Sequence, residues 1–132
     1  MATDLIDCLN HLKNTDPNVF NTIDFNSLST NLHLTFQFVL ENPTLNWNYN
    51  SITIHPMVTW QVVLDNPEFP WNWTFMILNP NITFNIFTDN PSYAWNLDFA
   101  SQNTTLTWAI VNANPSFPWN YTDLYYNFAS RL

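Results

Sequence analysis

Asn66-Pro67-Glu68-Phe69-Pro70-Trp71-Asn72-Trp73 is the stretch that decides the fold. It returns as Asn42-Pro43 with Trp47-Asn48-Tyr49, as Asn90-Pro91 with Trp95-Asn96-Leu97, and as Asn114-Pro115 with Trp119-Asn120-Tyr121. Each copy starts 24 residues after the one before, so the chain is a tandem array. A unit of that length buries its apolar face only by stacking on its neighbours.

Within a unit the prolines favour two short helices. Pro70 suits a first helical turn, where its missing N–H costs nothing, and Trp71, Phe75 and Leu78 then share a face. Asn79-Pro80-Asn81 breaks that helix, because a residue ahead of proline is pushed out of the helical region. Thr35, Thr59, Thr83 and Thr107 stand as N-caps of second helices that open on Phe36, Trp60, Phe84 and Trp108. Asn42, Asn66, Asn90 and Asn114 end those helices, with left-handed C-cap geometry expected. Alternation such as Ile82-Thr83-Phe84 also reads as strand. The expectation is therefore an all-α, short solenoid of two-helix units, with a strand-plus-helix solenoid as the alternative.

The units run 16–41, 42–65, 66–89, 90–113 and 114–132. The first is degenerate, opening on Asp16-Pro17, with Ile23-Asp24-Phe25 where later units have Trp-Asn-aromatic. Residues 1–15 do not repeat. Leu5, Ile6, Leu9 and Leu12 form one helical stripe, and Thr3 or Asp4 provides a cap, so this segment reads as an N-terminal capping helix.

Apolar residues at 46% place the chain among folded proteins, whereas charged residues at 9% leave its surface to asparagine. Lys13 and Arg131 are the sole fixed cations against a net charge of −8. Two cations cannot track a phosphate backbone, so nucleic acid is excluded as a partner, and anionic membranes are disfavoured. No apolar run is long enough to span a bilayer, and Met1-Ala2-Thr3-Asp4 lacks the basic start of a signal peptide. Cys8 is the one cysteine, which precludes an internal disulfide. Glycine is absent, and the abundant asparagine is expected to supply positive φ at turns. The sequons at Asn72, Asn81, Asn103 and Asn120 read as unmodified.

The compound pattern, Asn66-Pro67 with Pro70-Trp71-Asn72-Trp73 followed by Asn79-Pro80-Asn81-Ile82-Thr83, resembles a tandem repeat of large DNA viruses of the mimivirus and marseillevirus groups. That repeat is built on Asn-Pro-Asp-Lys-Pro-Trp-Asp-Trp and Asn-Pro-Asn-Ile-Thr. The resemblance covers roughly residues 16–132; this chain departs from it in having Glu68-Phe69 or Ser116-Phe117 in place of the Asp-Lys pair. It implies a viral repeat protein without catalysis, located in a virion or host cytoplasm.

No residue pattern calls for a metal or cofactor. His11, His33 and His55 lie 22 apart but recur with no Cys or carboxylate at ligand spacing, and read as surface or capping residues. Asp65 and Asp89 share a helix-to-turn position, which suits Asx-type bonding to backbone better than acid–base work. Trp47, Trp71, Trp95 and Trp119 read as the core contact between units, with Phe36, Trp60, Phe84 and Trp108 beside them. The Asn-Pro amides at one height suggest a ladder of asparagines bonding to one another. Tyr125, Tyr126, Phe128 and Leu132 leave an apolar face at the last unit, expected to meet a protein partner or another copy of the chain. The expected function is a non-catalytic protein-interaction scaffold. Its rivals are a self-assembling filament or shell subunit and a glycan-binding module using exposed aromatics.

Overall fold

Prolines set helix length throughout the array. In the computed structural model, which describes residues 3–131, four six-residue helices each stop on the residue before an Asn-Pro pair. The helices are α1 (Asp4–Thr15), α2 (Pro17–Phe20), α3 (Phe25–Leu28), α4 (Phe36–Glu41), α5 (Tyr49–Thr53), α6 (Trp60–Asp65), α7 (Trp73–Met76), α8 (Phe84–Asp89), α9 (Trp108–Ala113) and α10 (Tyr121–Ala129). A 3-10 helix, Leu97–Gln102, stands between α8 and α9. The chain is all-α: no strand forms among the described residues. Residues 1, 2 and 132, which belong to the N-terminal segment and the last unit, lie outside the described residues.

The strand reading fails for a local reason. Ile82 is buried in the turn, Thr83 is extended because it is a cap, and Phe84 is already helical. Alternation here spans a helix start. Thr35, Thr59, Thr83 and Thr107 each accept the N–H three residues on, at 3.2, 3.2, 3.4 and 3.2 Å.

The first helices begin later than expected. Pro70 lies ahead of α7, at the centre of a tight turn in which the Trp71 N–H donates to the Phe69 carbonyl at 2.7 Å. The cap is Asn72. Asp24, Asn48, Asn72, Asn96 and Asn120 all hold extended backbone and accept an N–H from the following turn. At α1 the Thr3 side chain makes no capping bond, and Asp4 is already in the helix, where with Asp7 it favours the positive end of the dipole.

Helix ends correct a second expectation. Asn42, Asn66, Asn90 and Asn114 keep negative φ, from −124° to −131°. No described residue has positive φ, so the turns have no need of glycine. These asparagines stop the helix by side-chain chemistry instead. Each Nδ2 donates to the carbonyl four residues back, at 2.7–2.8 Å, so their amides do not bond to one another.

A ladder between units does exist, at another position. Asn79 Nδ2 donates to the Thr53 and His55 carbonyls at 2.7 and 3.3 Å, and Asn103 Nδ2 to those of Ile77 and Ile82 at 2.6 and 2.7 Å. Asn127 repeats the pattern on Ser101 and Asn103. A second rung joins the Asn48, Asn72 and Asn120 N–H groups to the hydroxyls of Ser29, Thr53 and Ser101 at 2.8–3.0 Å. Leu34, Val58, Ile82 and Leu106, which share one position of the repeat, are all buried, as are Val39, Val63, Phe87 and Val111 at another.

Candidate interaction surfaces

The tryptophan row is anchored by one bond repeated four times. The indole N–H groups of Trp47, Trp71, Trp95 and Trp119 donate to the carbonyls of Asn42, Asn66, Asn90 and Asn114 at 2.8–2.9 Å. With the N–H satisfied, the rings can be buried. Trp47, Trp71 and Trp119 are buried, while Trp95 is half-buried. Across the units, Phe36 stacks on Trp71 at 5.5 Å and 13°, Phe84 on Trp119 at 5.6 Å and 29°, and Trp60 tilts against Trp95 at 5.5 Å.

Trp108 departs from its expected core role. It is 58% exposed. In the other three cases a tryptophan 35 residues further on covers the ring.

Near Trp108 in sequence, Tyr121 is 59% exposed and Tyr125 and Tyr126 are each 66% exposed, the last two in edge contact at 5.2 Å. Phe128 does not join them. It is half-buried, with the Arg131 guanidinium 4.7 Å above its ring. Arg131 also donates to the Leu106 carbonyl at 2.7 Å and to Asn127 Oδ1 at 2.9 Å, while the Ser130 hydroxyl bonds the Asn127 carbonyl. Arg131 thus ties the described part of α10 to the preceding unit, while the tyrosines of α10 stay exposed. Variable polarity along the row Tyr49, Trp73, Leu97 and Tyr121 suits a partly exposed position, and Tyr121 is exposed, as are Tyr125 and Tyr126.

A second surface lies at unit 90–113, which departs from units 66–89 and 114–132 at several positions. Ala94 replaces proline, Leu97 replaces Tyr or Trp, and the first helix is 3-10. Ile77 stands where Ser29, Thr53 and Ser101 carry the second-rung hydroxyl. A cleft of about 290 Å³ opens there, lined by Phe87, Pro91, Tyr93, Trp95, Leu97 and Phe117. The signal was present in the sequence as Leu97 in an aromatic row, but the ring facing it could not be read from spacing.

Titratable groups serve structure. His11 and His33 are exposed, whereas His55 is buried, against expectation. Its Nδ1 accepts the Met57 N–H at 2.9 Å, so Nε2 carries the proton and donates to the Asn31 carbonyl at 2.7 Å. Asp65 accepts from the Gln61 side chain at 2.8 Å instead of bonding backbone. Hydrogen bonds from the Ser27 hydroxyl and N–H hold the Asp24 carboxyl below its ordinary value of 3.8. Among the described residues, no three His, Cys, Asp or Glu side chains gather as a metal site, and no helix is long and apolar enough to cross a membrane. The sequons are occupied by structural bonds: Asn72 and Asn120 cap helices, Asn81 donates to the Pro56 and Val58 carbonyls, and Asn103 is buried. No family model, curated protein or solved structure matches the chain.

Proposed function

We propose that the chain is a short α-solenoid of two-helix units acting as a non-catalytic scaffold for a protein partner, within a large DNA virus of the kind its repeat resembles. The observation that carries this reading is the exposure of Trp108, Tyr121, Tyr125 and Tyr126, each more than half open to solvent. Aromatic side chains enriched on a surface poor in charge are the composition of a protein-interface core. Tyrosine adds hydrogen-bonding capacity at little conformational cost.

Self-assembly is the second reading, favoured by Trp108. Its position in the repeat is the one that accepts another unit's tryptophan at Phe36, Trp60 and Phe84. A non-closing contact of that kind propagates as a filament.

Light scattering at rising concentration and affinity recovery from the native source, on the intact chain and on a Tyr125→Lys/Tyr126→Lys variant, test both. Partner recovery that the variant loses supports the scaffold reading. Mass that grows with concentration and is suppressed in the variant supports self-assembly. A monomer whose recovered partners are unchanged in the variant contradicts both.

A further inference from the structure

At two junctions the residue opening a first helix supplies a ring to the aromatic of the next turn. Tyr49 meets Phe69 edge-on at 5.5 Å, and Trp73 stacks on Tyr93 at 5.0 Å and 20°. At the junction of units 90–113 and 114–132 the corresponding pair is Leu97 and Phe117, and both line the cleft of about 290 Å³. Leu97 is 47% exposed. The cleft is the place of a missing ring.

We propose that this cleft is a receptor for one aromatic side chain, indole or phenol, of a protein partner, which supplies in trans the ring that Tyr49 and Trp73 supply in cis. Its walls are the rings of Phe87, Tyr93, Trp95 and Phe117. An apolar cavity of about 150 Å³ already holds benzene, so a two-ring indole has room here. No charged side chain lines the cleft, and Lys13 and Arg131 belong elsewhere, so an anionic ligand would lack a counter-charge. A sugar is also poorly served. The Thr88 hydroxyl proton is committed to the Phe84 carbonyl and the Trp95 N–H to the Asn90 carbonyl, leaving the Tyr93 hydroxyl as the free side-chain donor of the lining. One such group suffices to orient an indole or a phenol but not to satisfy a ring of hydroxyls.

The proposal rests on the scaffold reading and fails separately from it. The probe is N-acetyltryptophanamide, titrated into the whole chain while the methyl resonances of Leu97 and of Thr88, which the variants keep, are followed by NMR, with N-acetylglucosamine as comparator. Saturable binding that shifts Leu97 and Thr88 in the parent, and that the Thr88 methyl reports as weakened at least about tenfold in Leu97→Trp, is the expected result. That variant supplies the ring in cis and should melt no lower than the parent; Leu97→Phe serves if the larger ring misfolds. Absence of a Leu97 shift, equal binding by the filled variants, or preference for the sugar would overturn the cleft assignment. None of these outcomes alters partner recovery through Tyr125 and Tyr126, which tests the scaffold reading alone.

Discussion

His55 stands in the column of Asn31, Asn79, Asn103 and Asn127, and its ring reproduces the asparagine pattern, one nitrogen accepting an N–H two residues on and the other donating to the preceding unit. Substitution by the residue of the other units should therefore be tolerated. His55→Asn is expected to keep or raise the melting temperature, whereas His55→Ala strands buried partners and should cost about 1–3 kcal/mol, as read from denaturant midpoints. Asp24 offers a test in acid. Its folded-state value is lowered, so its contribution to stability is full above 3.8 and is lost as pH falls through the folded value. Asp24→Asn keeps the cap, as Asn48 and Asn72 do, and should remove that part of the acid sensitivity in melts between neutral and strongly acidic pH. Among the tryptophans, Trp71→Ala should be costly, at roughly 3–5 kcal/mol. Trp95→Ala should cost less, because its ring is only half-buried.

At the scale of elements, much was legible because short helices are fixed by local chemistry. A hydroxyl followed by an aromatic every 24 residues identified the caps of α4, α6, α8 and α9. The start of the first helices was misread because proline before tryptophan imitates a first helical turn. The interchange of Asp24 with Asn48 and Asn72 was the usable sign, since both residue types are strong N-caps. The ladder was hidden by composition: in so asparagine-rich a chain, a buried amide looks like a surface one until its partners in the preceding unit are seen. Thr83→Ala should cost about 1 kcal/mol with helical signal retained by circular dichroism. The 3-10 segment Leu97–Gln102 should be the softest first helix. It has poorer hydrogen-bond geometry, and Ile77 gives the Asn96 N–H no hydroxyl to match those of Ser29, Thr53 and Ser101. Native-state hydrogen exchange should find its amides less protected than those of Tyr49–Thr53; equal protection would count against this.

For the whole molecule, order between units depends on side chains that reach one period back. Of the two cations, Arg131 follows that pattern in reaching back to the Leu106 carbonyl, whereas Lys13 reaches forward from α1 to Asn42 Oδ1 at 2.6 Å. Among the described residues every buried side-chain polar atom has a partner, so the asparagine-rich interior carries no orphaned groups of the kind that destabilise a fold. The central claim is that these amides join successive units. It is tested most directly by the side-chain NH₂ protons of Asn79 and Asn103 in solution NMR. The account predicts slow exchange with water and nuclear Overhauser contacts from Asn79 to Thr53 and His55, and from Asn103 to Ile77 and Ile82. Rapidly exchanging amides with contacts only to sequence neighbours would contradict it.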